Sequence, residues 1–281
     1  MLDFEVFTAL LVLLFALALW IVKRTWVNRP LGLCEKPGCI RCSGNQMVQE
    51  NAIEIFKNDE KFSMLNRLWN SLETSRRSSK FILYSDFLSS KEVWDLDDLP
   101  ISYQLDIKHL IKNLPLIKNE FEKKRSFLHA DKEKWSKIYF LNQGSRCEQN
   151  RIMYPETWRV LSNCSNLMRN CLFGYQFFSV LKPGSTINPH VGPTNVRLRG
   201  HLSIQIPNLL SSEYCHMNVN GQETSWESDC MIVFDDSFLH SVVYDADSSR
   251  SERVVLLLDF WHPDLTNDEK ECLSECFSPL L

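Results

Sequence analysis

The chain has 281 residues, of which 44% are hydrophobic, so it is long enough to bury one good core and carry an N-terminal arm. Its net charge of -4 and its pI near 6.0 give no overall basic surface of the kind that attracts nucleic acid. We therefore set nucleic-acid binding aside as a function of this protein.

The first strong local signal is an uncharged run from Val6 to Val22, which predicts a transmembrane helix. A helix of this length spans roughly 25 Å, and Trp20 and Trp26 are placed to extend it to the membrane interfaces. A cleaved signal peptide is the alternative, because residues 16–18 resemble a small-residue cleavage site. Those residues lie inside the apolar run and no basic residue precedes it, so we favour a signal anchor.

Two sets of features give opposite predictions for the orientation of this anchor. Lys23, Arg24 and Arg29 follow the span, and the positive-inside rule would then leave the bulk of the chain in the cytosol. The ten cysteines and the sequon at Asn163 are instead typical of an oxidising lumen, where disulfides and N-glycans form. On these residues alone the orientation stays open.

After the anchor, the composition predicts a stem and then a larger domain. Cys34, Cys39 and Cys42 lie in a turn-rich segment, where they form disulfides or contribute to a zinc site that lacks a nearby fourth ligand. From Ala52 to about Leu72 apolar residues recur at helical spacing. The predicted divisions are a tail (1–5), the anchor (6–22), a cysteine-containing helical stem (23–80) and the main domain (81–281, core 135–277).

The main domain begins with a second helical pattern from Leu105 to Phe121, interrupted at Pro115, and a last helix is predicted over about Asn267–Phe277. Between them lie short segments of alternating apolar residues, bounded by turn residues. Such strands without long intervening helices indicate an all-β core with flanking helices, in a cupin-like jelly roll or double-stranded β-helix. The predicted strands are Trp135–Leu141, Tyr175–Leu181, Val196–Ile206, Cys215–Val219, Met231–Phe234 and Val254–Phe260.

The strand from Val196 to Ile206 has one polar face. If its apolar face packs on the core, the simplest interpretation is that the polar face is only solvated. Two nearby residues favour a functional site instead: His190 lies just before this strand, and His240 follows an apolar strand and a polar turn. The residues of the polar face are Arg197, Arg199, His201, Ser203 and Gln205.

Arg253 begins a strand that is apolar on both faces and is therefore predicted to be central and buried. A guanidinium keeps its proton, so at such a position it needs an anion nearby. Asp259 lies about 20 Å further along an extended strand, which makes a bound dicarboxylate the better candidate. Two histidines and an arginine so placed suit Fe(II) and 2-oxoglutarate chemistry: the imidazoles bind the metal and leave positions for a keto acid and O2, and the arginine pairs with the far carboxylate.

These residues resemble the aspartyl/asparaginyl β-hydroxylase family over roughly half of the chain, from about Trp135 to Phe277. The long central motif is highly specific. The motifs that carry the resemblance are Phe178-Ser179-Val180 with Pro183-Gly184, His190-x-Gly-Pro-Thr-Asn-x-Arg-Leu-Arg-x-His201, Phe234-Asp-Asp-Ser-Phe-x-His240, and Arg253 leading to Asp259-Phe-Trp-His-Pro263.

The resemblance implies a dioxygenase that uses Fe(II), 2-oxoglutarate and O2 to hydroxylate Asp or Asn side chains of a protein, with release of succinate and CO2. It implies that His190 and His240 ligate the iron and that Arg253 and Ser179 hold the distal carboxylate of 2-oxoglutarate. Gly192 stands where most 2-oxoglutarate oxygenases have an Asp or Glu ligand, and this difference is itself the pattern of the family. Iron would then have two protein ligands.

The resemblance also implies roles for residues on the polar strand and around it. Arg199 and His201 would contact the metal-side end of the cosubstrate, Trp135 would line its pocket, and Arg197 would face the acidic side chain of a peptide substrate. On this basis Arg199 and Arg197 are predicted to be catalytic. Lys137 departs from the family, because a neutral glutamine is expected at its position, so the accepted substrate is predicted to differ from EGF-like domains.

The resemblance favours a single-pass type II protein with its domain in the lumen of the endoplasmic reticulum and a protein or peptide substrate in the secretory pathway. A different class of function is a catalytically silent, membrane-anchored binding module on the same fold. A third is a cupin-like zinc protein that uses His190, His240 and His201, which would need a closed tetrahedral ligand set.

Overall fold

Two antiparallel β-sheets form the centre of the domain, and helices cover the outer face of the larger sheet. The computed structural model describes residues 45–77, 81–125, 133–207, 214–247 and 249–279, all of which belong to one compact unit, Pro37–Leu281. No helix within these ranges has the length and hydropathy of a membrane span. The predicted anchor and the cysteines of residues 34–42 lie outside the described residues.

The first four strands belong to the larger sheet, and from β5 onward the chain crosses repeatedly between the two sheets. The larger sheet has seven strands in the order β1-β9-β6-β11-β4-β2-β3, and the smaller has four in the order β5-β10-β7-β8. The strands are β1 (Val93–Trp94), β2 (Trp135–Asn142), β3 (Ser145–Arg146), β4 (Gln176–Leu181), β5 (Ser185–His190), β6 (Arg197–Gln205), β7 (Cys215–Val219), β8 (Gln222–Thr224), β9 (Met231–Phe234), β10 (His240–Tyr244) and β11 (Arg253–Trp261).

The helices precede, interrupt and follow the strands. The predicted break at Pro115 is confirmed: one helix ends at Lys112, and Pro115 occupies the first turn of the next, where its missing N–H costs no helical hydrogen bond. The helices are α1 (Asn45–Asn58), α2 (Asn66–Arg76), α3 (Ile101–Lys112), α4 (Leu114–Lys124), α5 (Glu148–Met153), α6 (Pro155–Ser162) and α7 (Asn267–Cys276), with 3-10 turns at Glu60–Phe62 and Leu96–Asp98.

The two sheets pack face to face. Val255 and Leu181 of the larger sheet share a buried cluster with Met217 and Val242 of the smaller sheet. On the opposite face of the larger sheet, side chains such as Leu202 join a second cluster with α3, α4 and α6. Burial on both faces explains why β4 and β11 are apolar almost throughout. This is the predicted jelly-roll-like sandwich with flanking helices.

The predicted boundary between a stem and the main domain at residue 80 is wrong. Helices α1 and α2 bury their apolar faces against Trp261, Leu273 and Phe277 at the C-terminal end of the domain. Arg67 of α2 forms a bidentate pair with Glu269, at 2.5 and 2.6 Å, and Glu269 is buried in the first turn of α7. Residues 45–77 are therefore part of the domain and cover its C-terminal helix.

The predicted strands are all present, with ends within one residue of the predicted ones. The return strand expected at His240 is β10. The sequence did not indicate β5, because it has no alternating apolar residues and contains Pro189, which an edge strand tolerates. Strands β1, β3 and β8 have two or three residues and are too short to give a periodic signal.

Replacing Leu68 by alanine tests whether α1 and α2 belong to the folded domain. Leu68 is 0% exposed, so Leu68→Ala should lower the free energy of unfolding by about 2–5 kcal/mol in a single cooperative transition. Met64→Ala is the control, because Met64 is 82% exposed and its truncation should change little. Denaturant unfolding followed by circular dichroism measures both. An early separate transition, leaving the sheets intact, would show that the helices are an independent stem.

Candidate active site

The fold brings His190 and His240 together. His190 ends β5 and His240 begins β10, and the two residues are directly opposed in the antiparallel pairing of these strands. The centroids of their rings are 4.1 Å apart. Opposed residues on adjacent strands project their side chains to the same face of the sheet, so a single ion can be reached by both rings.

The backbone fixes the tautomer of both rings. Nδ1 of His190 lies 2.8 Å from the carbonyl oxygen of Asn188, and Nδ1 of His240 lies 2.9 Å from that of Phe238. A carbonyl accepts only, so each Nδ1 carries a proton, and the neutral form of each ring has its lone pair on Nε2. Burial, with His190 close by, lowers the pKa of His240 to about 3, so its ring is neutral at physiological pH. This is the tautomer and charge state in which imidazole binds a divalent metal.

Arg253 lies on the inner face of the larger sheet, and no carboxylate of the described residues forms an ion pair with it. It is 1% exposed, and its Nε and Nη1 have no hydrogen-bond partner in the described part of the chain. Burial lowers the pKa of Arg253 to about 10, which still leaves the guanidinium charged at neutral pH. An uncompensated buried charge is costly, so this guanidinium is suited to a carboxylate ligand.

The residues beside Arg253 on the inner face are also polar. Ser203 and His201 of β6 are opposed to Val255 and Leu257 of β11, and Ser179 of β4 is opposed to Val255 from the other side. Both ring nitrogens of His201 and Oγ of Ser203 are buried without partners within the described ranges. Burial, with Arg253 and Arg199 nearby, lowers the pKa of His201 well below its usual value, so the ring is neutral.

Trp135 completes this end of the inner face. Its Nε1 donates to Oγ of Ser179 at 3.0 Å. A hydroxyl that accepts in this way keeps its own O–H for a further acceptor, so Ser179 is oriented to donate. Trp135, Ser179, His201 and Arg253 are thus brought together by three neighbouring pairs of strands.

Four charged residues form a buried ion cluster at the other end of the inner face. Arg197 pairs with Asp236 at 2.6 Å and with Asp259 at 3.2 Å, and it also donates to the carbonyl of Phe173. Arg199 pairs with Asp236 at 2.9 Å and with Asp259 at 2.8 Å. Burial alone would raise the pKa of Asp236, but the two arginines outweigh it and hold that pKa below the usual range. The two cations and two anions neutralise one another.

Comparison with known proteins identifies the family. Residues 105–263, more than half of the chain, match the aspartyl/asparaginyl beta-hydroxylase family. The chain belongs to this family. Aspartate beta-hydroxylase domain-containing protein 2 of Homo sapiens is 28% identical over 268 residues, covering 88% of this chain and 70% of that protein. The aspartyl/asparaginyl beta-hydroxylase of Mus musculus is 34% identical over 177 residues, 59% of this chain and 23% of that protein.

The similarity of this chain to solved structures is weaker than its similarity in sequence to these relatives. The cupin domain of a transcriptional regulator from Enterobacter cloacae is 12% identical, with a TM-score of 0.28, and the match covers 46% of this chain and 97% of that one. A likeness of this size adds nothing to the description of the fold given above.

The contacts of Arg197 bear on the role that the resemblance implies for it. Arg197 is 1% exposed, and its guanidinium is engaged by Asp236, Asp259 and a backbone carbonyl, so contact with a peptide substrate would have to compete with these partners. Arg199 belongs to the same cluster, and contact with a cosubstrate would have to compete with its two carboxylates. Both arginines act here as structural charges that fix Asp236 and Asp259.

The position of Gly192 has a packing explanation in this member of the family. A Cβ built on Gly192 would lie 2.5 Å from Oδ2 of Asp236, so a side chain there would displace a carboxylate that two arginines hold. Across the described ranges, no group of three or more His, Cys, Asp or Glu side chains is placed to hold a metal ion. The ring of Phe234 contacts both His201 and His240, so His201 stands apart from the histidine pair.

Two residues of the site had been given no role from the sequence. Asp236 lies within a family motif, but its pairing with Arg197 depends on contacts between distant segments. Trp226 lies in the connection between β8 and β9, and its ring centroid is 4.6 Å from Cζ of Arg253. A tryptophan followed directly by Glu227, Ser228 and Asp229 is the sequence signal that could have marked it as an apolar side chain inserted from a polar loop.

Asp235, next to the ion cluster, should give the protein a measurable pH dependence of stability. Burial raises its pKa to about 7, although the N–H of Ser237 donates to it at 2.8 Å. From about pH 4 to pH 7 the unfolded chain releases a proton that the folded protein retains, so this residue makes stability fall as the pH rises. Asp235→Asn keeps the acceptor for Ser237 and should remove that fall, which is at most about 4 kcal/mol.

Denaturant unfolding at several pH values between 4 and 7.5 measures the effect as the difference between the wild-type and Asp235→Asn curves. Asp229→Asn, at an aspartate whose side chain is 69% exposed, is the control and should follow the wild type. Parallel curves for wild type and Asp235→Asn would contradict the prediction.

Proposed function

We propose that this protein is an Fe(II)- and 2-oxoglutarate-dependent dioxygenase that hydroxylates Asp or Asn side chains of a protein substrate. The observation that carries the proposal is the pairing of two features on the inner surfaces of the sandwich. One is the pair of adjacent histidine rings, and the other is the buried guanidinium of Arg253, which has no carboxylate partner in the described residues. Membership of the beta-hydroxylase family supports the reaction class.

His190 and His240 would hold Fe(II), which supplies the redox centre for the reaction of O2 and the keto acid to succinate and CO2. Their Nε2 atoms carry the lone pairs, because both Nδ1 atoms donate to the backbone. The backbone carbonyl oxygens of Asn188 and Phe238 therefore orient the rings and raise their basicity as ligands. The protein contributes two neutral ligands, so the charge on the metal is left to be balanced by anionic ligands.

Arg253 and Ser179 would bind the distal carboxylate of 2-oxoglutarate. Arg253 offers two nitrogens, Nε and Nη1, that have no partner among the residues the structure describes, and Ser179 is oriented by Trp135 to donate its hydroxyl. A charge-assisted contact of this kind is stronger in a buried site than in water. His201, neutral and with both nitrogens unpartnered among the described residues, lies on the same face and is the candidate for the metal-side end of the cosubstrate.

The apolar cluster between the sheets would exclude water from the cosubstrate. Val255 and Leu181 flank the polar residues of the larger sheet, and Val242 and Tyr244 close the opposite side. Excluding water favours productive chemistry over side reactions and strengthens the contacts with Arg253. An acidic side chain of the substrate would have to compete with Asp236 and Asp259 for Arg197. The amine of Lys137 lies 3.7 Å from the ring centroid of Trp135, the residue predicted to line the cosubstrate pocket.

The histidine pair should be required for turnover. His190→Ala and His240→Ala should each lower the 2-oxoglutarate-dependent release of succinate by about 100-fold or more, since even the outer partners of metal ligands contribute about 10–100-fold. His216→Ala is the matched control, because His216 lies on the neighbouring strand β7 and its side chain is 21% exposed. The assay uses the full-length chain with Fe(II), ascorbate, 2-oxoglutarate and a library of Asp- and Asn-containing peptides.

Two results would contradict the proposed activity. Succinate release that survives both alanine substitutions would exclude the histidine pair as the metal site. Binding of metal and 2-oxoglutarate by the wild type without any product across the library would favour the silent binding module on the same fold.

We also propose that the protein is anchored in the membrane by residues 6–22, with the domain in the lumen of the endoplasmic reticulum. The sequon supports this, because Asn163 and Ser165 are both exposed where α6 ends, and Cys164 between them is buried and anchors the turn. The seven described cysteines are thiols, so the cysteine count adds no support from disulfides in this part of the chain.

Glycosylation at Asn163 tests this location. Full-length protein expressed in mammalian cells should lose mass on endoglycosidase treatment, and Asn163→Gln and Ser165→Ala should each abolish the shift. Asn142→Gln, at another exposed asparagine, is the control and should retain it. An unshifted chain that protease degrades in sealed microsomes would contradict the lumenal location.

A further inference from the structure

Trp226 is a buried side chain that comes from an exposed segment. It lies in the connection between β8 and β9 and is 5% exposed, whereas residues 227–230 that follow it are exposed. Its Nε1 has no hydrogen-bond partner among the described residues. A loop that inserts one large side chain into the interior, at the cost of a buried unpartnered donor, indicates a specific use for that ring.

The ring of Trp226 contacts both the guanidinium of Arg253 and the ring of His201. Cζ of Arg253 is 4.6 Å from the ring centroid of Trp226. The ring of His201 is stacked against the ring of Trp226, with centroids 6.0 Å apart and planes 22° from parallel. An arginine at this distance from an indole is attracted by the negative face of the ring, and the attraction is strongest where water is excluded.

Arg253 differs in this respect from the two arginines of the ion cluster. Arg197 and Arg199 are neutralised by Asp236 and Asp259 and cannot bind another anion without losing those partners. The indole of Trp226 stabilises the guanidinium of Arg253 without neutralising it and without using its N–H groups. Arg253 therefore keeps both its full charge and its donors for a ligand.

We propose that Trp226 is a positioning residue for the cosubstrate: its indole face holds the buried guanidinium of Arg253 in place to pair with the distal carboxylate of a 2-oxo dicarboxylic acid. This inference rests on the proposed function and adds to it the residue that sets the preference for a dicarboxylate. Trp226 acts through Arg253, so its loss should affect the binding of dicarboxylic keto acids and leave monocarboxylic ones unchanged.

The test measures binding to the full-length chain loaded with Mn(II), by calorimetric titration with 2-oxoglutarate and with 2-oxobutyrate, which lacks the distal carboxylate. Trp226→Leu should raise the dissociation constant for 2-oxoglutarate by about 10–30-fold, and Trp226→Phe, which retains an aromatic face, by less than about threefold. Neither variant should change the affinity for 2-oxobutyrate. In an Arg253→Met background, Trp226→Leu should cause no further loss, because the residue it acts through is gone.

Trp94→Leu is the matched control. Trp94 is 9% exposed, its Nε1 is also without a partner in the described ranges, and its ring packs edge-on against His262, away from Arg253. It should lose stability without losing affinity for 2-oxoglutarate. If Trp226→Leu does not fold, site-specific incorporation of mono-, di- and trifluorotryptophan at residue 226 preserves the shape of the ring and weakens its negative face stepwise. The dissociation constant for 2-oxoglutarate should then rise with each fluorine.

The outcomes separate the two proposals. A wild-type chain that binds no 2-oxoglutarate overturns the proposed function and this inference with it. A wild type that binds, together with Trp226→Leu affinity equal to that of Trp94→Leu, overturns only the role of Trp226. Equal losses for 2-oxoglutarate and 2-oxobutyrate, or no trend with fluorination, also overturn it, because they indicate a general structural effect.

Discussion

The buried pairing of two arginines with two aspartates is the constraint on which the geometry of the site depends. Arg197 and Arg199 project from β6, Asp259 from β11, and Asp236 from the turn that leads to β10. One carboxylate, Asp236, thereby ties the central strands of the larger sheet to the segment that ends in His240. The same carboxylate lies against Gly192, two residues after His190. A single buried cluster thus fixes the approach of both histidines, and removing one member would leave an uncompensated charge in the interior.

Arginines on the inner face of the larger sheet have two different roles. The cluster contains equal positive and negative charge and serves to hold strands together, whereas Arg253, further along the inner face, is held by the indole of Trp226. Aromatic contacts connect the region of Arg253 to the histidine pair, from Trp226 to His201, from His201 to Phe234 and from Phe234 to His240. This row sets the distance between the guanidinium and the histidine pair with rigid rings. A rigid spacing of this kind favours a ligand of one length.

The sequence predicted the parts of this site that local patterns encode. Alternation along residues 196–206 placed Arg197, Arg199, His201 and Ser203 on one face, and the structure places them together on the inner face of β6. Whether that face meets solvent, a ligand or other side chains depends on which strands pair with it. Arg199 lies opposite Asp259 because β6 pairs with β11 in one register, and no local signal specifies a register between strands so far apart in the chain. The pairing of Arg197 with Asp236 and Asp259 could not be predicted for the same reason.

The helical stem was misplaced for a related reason. Periodicity showed that residues 52–72 have an apolar face, and helices do bury that face, but its partner is at the other end of the chain. A helical pattern of apolar residues predicts that one face of the helix is buried, but it does not indicate which residues bury that face. Strand β5 was missed because its residues serve the site instead of the core: Pro189 and His190 lie on an edge strand with few apolar side chains.

The same packing bears on the proposed metal site with two histidines. The resemblance implies that most 2-oxoglutarate oxygenases have an acidic side chain at the position of Gly192, but here the space next to its Cα is filled by the carboxylate of Asp236. Asp236 is engaged by both cluster arginines at 2.6 and 2.9 Å, so it is committed as a structural anion and cannot easily become a ligand. Two neutral imidazoles leave the charge of a divalent ion uncompensated. Retention of the metal would therefore depend on binding of the anionic keto acid. That binding would depend in turn on the contact between Arg253 and the distal carboxylate, and on the indole that holds Arg253 in place.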